Sequence, residues 1–193
     1  EVWIGTYLKR GVSAFFADYA LDEFTPSKTK KLLSDPDQFV LVSENEEGID
    51  GFIRVSSASK APVDGCSEVE ISTFYVQPRH HGKGIGKRLL NAALQHCRDK
   101  AVQSVWLTTN AENDPAIAFY LAQGFDYVGE THFRIEDEGY LGSGPINRLS
   151  LSRCHDSRPP VIGGYDEQFV LADRGADGAP PALFSKEPRS DAC

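Results

Sequence analysis

Methionine is absent from all 193 residues, so Glu1 is not an initiator and a chain trimmed or incompletely recorded at its start is expected. Cysteine is sparse. Cys66, Cys97, Cys154 and Cys193 include no CxxC pair, which argues against both a zinc site and a small disulfide scaffold. Reduced thiols in a cytosolic protein are the expectation. No apolar run approaches the roughly 18 residues of a membrane span, and no basic segment followed by an apolar one opens the chain as a signal peptide would. A cytoplasmic location without a membrane partner is therefore expected. Basic residues are outnumbered 28 to 20, for a formal net charge of −8. That balance disfavours a chain built to coat nucleic acid and leans toward cationic partners. There is no internal repeat and no metal-ligating constellation.

What remains is an ordinary globular composition, 40% hydrophobic and 25% charged. About 150 residues suffice to bury roughly two thirds of the unfolded surface. Helical spacing covers Val2 to Leu21. Thr25-Pro26 starts a second helix that should end near Leu33, before Asp35-Pro36-Asp37. Gln38–Ser43 and Gly51–Ser57 read as a hairpin of strands around the polar turn Asn45–Asp50. Glu68–Val76 is a third strand, with Glu68, Glu70, Ser72 and Phe74 on one face and Val69, Ile71, Thr73 and Tyr75 on the other. A helix follows over Gly82–Ala101, burying Ile85, Leu89, Ala92, Ala93 and Cys97 while Lys87, Arg88, Asn91 and Arg98 face away. Ser104–Thr109 is a strand. Pro115–Gln123 is a helix capped by Asp114 and stopped by Gly124. Phe125–Ile135 and Ile146–Ser152 are strands on either side of an acidic, glycine-rich turn, Glu136–Pro145. One domain over 1–153 is expected. Residues 154–193, crowded with Pro and Gly, form an extension that is irregular except at Gln168–Leu171.

The segment Val76–Leu90, VQPRHHGKGIGKRLL, is the most informative. A strand ends, Pro78 blocks its continuation, and Gly82, Gly84 and Gly86 lead into an amphipathic helix. Glycines permit close approach of the backbone to a ligand, and amides at a helix N-terminus suit an anion. Arg79, Lys83 and Lys87 add positive charge. A phosphate cradle and a plain tight turn both fit. A Walker A loop fails, because Arg88 follows Gly86-Lys87 and His81 stands five before Gly86. A dinucleotide fingerprint fails, because Lys87 stands where its last glycine belongs.

A second motif joins the first. Arg79-His80-His81-Gly82-Lys83-Gly84 resembles the signature [QR]-x-x-G-x-[GA] of the GNAT superfamily of N-acetyltransferases. Asn113, Ala116, Tyr120, Gly124 and Phe125 match its N-x-x-A-x-x-x-Y-x-x-x-G-F. The resemblance covers roughly Glu1 to Ser152, and the end of that range is also similar to bacterial polyamine N-acetyltransferases. It implies an α/β (α+β) fold: a mixed, mostly antiparallel sheet flanked by helices and splayed in a V between Glu68–Val76 and Ser104–Thr109. It implies acetyl-CoA as co-substrate, with pyrophosphate on Gly82, Lys83, Gly84, Ile85, Gly86 and Lys87, helped by Arg79 and His81. The pantetheine arm would pair with Phe74, Tyr75 and Val76, and Asn113, Phe119 and Tyr120 would line the other wall. The family opens with a strand before its first helix, and the resemblance implies that this first strand is missing from the sequence.

Acetyl transfer to an amine needs a base for the ammonium proton, a donor for the developing oxyanion and an acid for the thiolate. By resemblance Glu70 is the base, directly or through a water, with Glu68 second; both carboxylates could instead bind a cationic acceptor or form a solvated strand face. Tyr120 is the acid by resemblance, or a core aromatic. The Val76 N–H is the oxyanion donor by resemblance. Asn113 holds the cofactor or only caps its helix. His80 and His81 read as turn residues rather than an acid–base pair, His132 as a surface strand position in preference to a pocket residue, and Cys97 as a buried helix residue rather than a nucleophile. The expected acceptor is a polyamine, another small amine, or a peptide or lysine amine. The other reading is an acyl-CoA-binding module without turnover that engages a protein partner. The oligomeric state stays open, with a homodimer through the late strands and the tail as one arrangement.

Overall fold

The computed structural model describes residue 18 and residues 21–135, 140–151 and 168–171. The predicted opening helix falls outside them except at Asp18 and Leu21, which are helical. Helix α1 runs over Pro26–Ser34. The Thr25 side chain caps it by accepting from the Lys28 amide, and Pro26 occupies the first turn, where its missing N–H costs nothing. Strands β1 (Gln38–Asn45) and β2 (Gly48–Ser56) are both longer than predicted, because the turn between them is only Glu46-Glu47. Asn45 pairs with Gly48 directly across it.

Strand β3 covers Glu70–Val76, so Glu68 lies before the strand rather than in it. A 3-10 turn, Pro78–His80, precedes α2, Ile85–Asp99. The predicted helix start at Gly82 is three residues early, since Gly82 and Gly84 sit at φ +77° and +82°, outside helical geometry. Helix α2 buries Ile85, Leu89, Leu90, Ala93, Leu94 and Cys97. Each fully buried Leu or Ile there contributes about 1.5–3 kcal/mol relative to exposure. Arg88 and Arg98, predicted to face away, are half-buried. After β4 (Ser104–Thr108) comes α3, Asp114–Ala122, and Gly124 at φ +87° ends it as expected.

Strands β5 (Asp126–Ile135) and β6 (Tyr140–Ser150) form the last hairpin. The predicted turn over Glu136–Pro145 is too long. Gly142, Gly144 and Pro145 already pair with Phe133, Thr131 and Glu130, because the long partner strand carries the ladder through residues of poor strand propensity. Strand β7 is Gln168–Leu171, and it pairs antiparallel with β1. The sheet order is β5-β6-β4-β3-β2-β1-β7.

All neighbouring strands are antiparallel except β3 and β4. Those two meet at one position, Glu70 beside Trp106, with the Trp106 amide donating to Val69 O. Beyond it the strands part. The sheet is therefore a mixed, mostly antiparallel one that opens between β3 and β4, as the sequence resemblance implied.

Candidate active site

The site is built on the upper half of β3. Its register against β2 slips once: Arg54 is opposite Thr73, but Val55 is opposite Ile71. Ser72 is the extra residue of a β-bulge, which breaks the strict alternation of side chains. The predicted faces change accordingly. Ile71, Phe74 and Val76 share one face with Val55, Ile53 and Gly51, whereas Glu70 shares the other with Ser56, Arg54, Thr73 and Tyr75. Phe74 thus leaves the face of Glu70, and Tyr75 joins it. Helix α2 packs on the Phe74 face, where a Cβ at Gly86 would lie 3.6 Å from the Phe74 ring and 3.8 Å from Val76.

The free edge of β3 follows from the ladder. The Gln77 amide donates to Asp50 O at 2.8 Å. In an antiparallel pair the hydrogen-bonded positions alternate, so Tyr75 and Gln77 turn toward β2 while Phe74 and Val76 turn away from it. Their amides point to the side where β4 has diverged. The Val76 carbonyl meets His81 Nε2 at 2.9 Å, where an N–H donates. That bond ties the glycine turn to the end of the strand and places the His81 ring at the strand, not at the outer lip of the turn.

From Gly82 to Lys87, no backbone amide has an acceptor among the described residues. The first bond of α2 is from Arg88 N to Gly84 O. A Cβ at Gly82 would meet nothing within 4 Å, and one at Gly84 would meet only the flexible end of Arg88 at 3.2 Å. The turn is therefore a shallow cradle of donors without acceptors among the described residues at a helix N-terminus, an arrangement suited to an anion. Lys83 and Lys87 are exposed beside it. Arg79 reaches Glu47 at 3.5 Å and donates to His80, so its charge is partly offset.

Glu70 is half-buried, and Ser59 Oγ donates to its Oε2 at 2.5 Å. Glu68 is exposed. Tyr120 is buried, with ring centroids of Phe119, Phe125 and Phe74 at 5.5, 5.7 and 6.3 Å. It lies on the Phe74 side of β3, so Glu70 and Tyr120 approach the open edge from opposite faces. Asn113, not Asp114, caps α3. Its Oδ1 accepts from the Ala116 amide at 3.4 Å, and Asp114 falls in the first turn, where its charge meets the positive helix end. Burial pushes the Cys97 thiol up to about 11, which agrees with an inert core cysteine. His132 is exposed, as its surface reading implied. Among the described residues no three His, Cys, Asp or Glu side chains could hold a metal, and no helix is long and apolar enough to cross a membrane.

Sequence reasoning missed Ser59, Arg54 and the Ser56–Ser72 pair. Only Arg54 carried a signal, as a lone cation inside the apolar run Gly51–Ser57.

Residues 7–125 match the acetyltransferase (GNAT) family. The chain belongs to that family. Among curated relatives of this GNAT chain, the N-alpha-acetyltransferase RimI of Mycobacterium tuberculosis is 30% identical over 108 residues, 56% of this chain and 65% of that protein. N-acetyltransferase 8B of Rattus norvegicus is 31% identical over 102 residues, 53% of this chain and 46% of that protein. The chain thus spans about half to two thirds of the length of these two relatives. Its fold is that of PaiA N-acetyltransferase from Thermoplasma acidophilum, solved with coenzyme A (TM-score 0.57, 19% identity, 78% of this chain and 86% of that one). It is also that of NAA60 from Arabidopsis thaliana, solved with a bisubstrate analogue (TM-score 0.55, 19% identity, 69% and 88%).

Proposed function

We propose that the protein transfers the acetyl group of acetyl-CoA to a primary amine by direct attack. The observation that carries this is the continuity of the open β3 edge with the unpartnered amides of Gly82–Lys87. One surface there offers strand pairing and then a phosphate cradle, as a pantetheine arm ending in pyrophosphate requires. Phe74 and Val76, whose amides face the gap, would pair with the arm, while Tyr75 between them stays bonded toward β2 and lines the strand only, and Gly82, Lys83, Gly84, Ile85, Gly86 and Lys87 would hold the phosphates. Arg79 and His81 would close the turn, and Asn113, Phe119 and Tyr120 would line the opposite wall.

Bound there, acetyl-CoA supplies an activated thioester. Glu70, oriented by Ser59, takes the ammonium proton directly or through a water and frees the lone pair, with Glu68 as an outer carboxylate. As the C–N bond forms, the Val76 N–H donates to the carbonyl oxygen. As the C–S bond breaks, Tyr120 donates its proton to the sulfur, and the second proton lost by the nitrogen as the amide forms returns the phenol to its starting state. The acceptor is a polyamine, another small amine, or a peptide or lysine amine. The names of the relatives, an N-alpha-acetyltransferase and N-acetyltransferases, support the amine.

The test is incubation with acetyl-CoA and a panel of such amines, following thiol release. Turnover with at least one amine is expected. Clear CoA binding with no turnover on any amine would leave a binding module instead.

A further inference from the structure

Arg54 sits in the middle of β2, half-buried, on the face of Glu70. Three rows cross that face: Gln38–Ser56–Glu70, Val40–Arg54–Thr73 and Val42–Phe52–Tyr75. Arg54 is thus the diagonal neighbour of Glu70, at a Cβ separation of about 7 Å. Its guanidinium is aimed by a chain of hydroxyls. Arg54 Nε donates to Ser72 Oγ at 2.8 Å, Ser72 Oγ lies 2.8 Å from Ser56 Oγ, and Ser56 Oγ donates to Gln38 Oε1 at 2.8 Å. The bulge makes this possible, since it turns Ser72 toward Arg54. No carboxylate comes within ion-pair range of Arg54 among the described residues, where the ion pairs belong to Lys28 and Arg79. Among the described residues neither Nη group has a hydrogen-bond partner.

A half-buried cation with no direct ion pair among the described residues is unfavourable for an acceptor that brings only positive charge. A polyamine would set a second ammonium against Arg54. An acceptor with its own carboxylate removes the conflict, because the planar guanidinium binds a carboxylate through paired N–H donors. Resting on the acetyl-transfer reading, we infer that the acceptor is an amino carboxylate, its carboxylate on Arg54 and its amine at Glu70. The diagonal spacing lets one small zwitterion reach both.

The test compares each amino acid with its decarboxylated amine and its carboxamide, such as lysine with cadaverine and phenylalanine with phenethylamine. Acetyl-CoA turnover by the full chain is measured, and equilibrium binding of the same compounds to the CoA-loaded chain is read in parallel. The amino acid should be preferred in kcat/KM by at least about tenfold, the value of a charge-assisted hydrogen-bond pair. Arg54→Gln should bring that ratio toward one, mainly through KM, and Arg54→Lys should restore part of it. CoA affinity reports whether each variant is folded. Equal or better turnover of the decarboxylated amines by the unsubstituted chain overturns the inference and leaves acetyl transfer standing. Amino acids that bind through Arg54 without turnover defeat the transfer reading and keep the carboxylate site. Neither binding nor turnover overturns both.

Discussion

Glu70 takes its place from three neighbours: Ser59 on its carboxylate, Ser56 across the ladder and Trp106 on the strand that then diverges. If it is the base, Glu70→Gln should lower kcat/KM by about 100-fold near neutral pH. The loss should shrink at high pH, where the acceptor amine is already free. An unchanged pH profile would remove Glu70 from that role. Tyr120 is set more deeply, in an aromatic cluster. Tyr120→Phe keeps the packing and removes the proton, so kcat should fall by about tenfold or more with CoA affinity retained; parallel loss of both would assign it to packing. His96 makes a third, structural case. It stacks on Phe39 at 3.7 Å, and burial, with the Lys100 charge adding, pushes its pKa down. The unfolded imidazole takes a proton below about pH 6.5 while the folded one resists it. Stability present above that pH is therefore lost as pH falls. Thermal melts from pH 7 to pH 5 should show a larger Tm loss for the unsubstituted chain than for His96→Gln.

The turn from Gly82 into α2 joins local conformation to ligand chemistry. Gly82 needs its positive φ, yet space around it is open, so Ala there strains the backbone without a clash in the chain. Gly82→Ala should cost about 1 kcal/mol of stability, a small shift in Tm. It should weaken CoA binding by about tenfold or more, because the methyl stands where the anion meets the amides. Calorimetric titration beside a thermal melt separates the two effects, and equal small changes in both would mean that the turn is only a turn. A turn here was legible from glycines between a Pro-stopped strand and an amphipathic helix, but its reading as an anion cradle rather than a plain turn came only with the second motif. The faces of β3 were not legible. A bulge at Ser72 depends on how β2 pairs, and no pattern within Glu68–Val76 announces it.

Across the whole molecule, the opening between β3 and β4 separates a half built on β1, β2, β3 and β7 from one built on β4, β5 and β6. β7 covers the outer edge of β1, far in strand order from the candidate site. A chain ending at Arg153 would leave that edge unpaired, and exposed edges cost stability and invite association. Its Tm should fall by at least about 3 °C, with CoA affinity unchanged. No shift in Tm would mean that the β7 ladder adds nothing to the fold.

The order of elements, the glycine turn and the two spaced motifs were determined by the sequence alone, because helix, strand and turn signals are local and repeat at fixed periods. The chemistry class followed from the family that those motifs resemble, and the balance of 28 acidic to 20 basic residues did not oppose it, since a few backbone amides can hold an anion on an acidic chain. Tertiary structure alone decided which side chains share the face of Glu70. Pairing of β2 with β3 set the bulge, the bulge turned Ser72 toward Arg54 and moved Phe74 to the helix side, and divergence of β4 left the amide of Val76 pointing into the gap. These are contacts between residues far apart in the chain, and no local period encodes them.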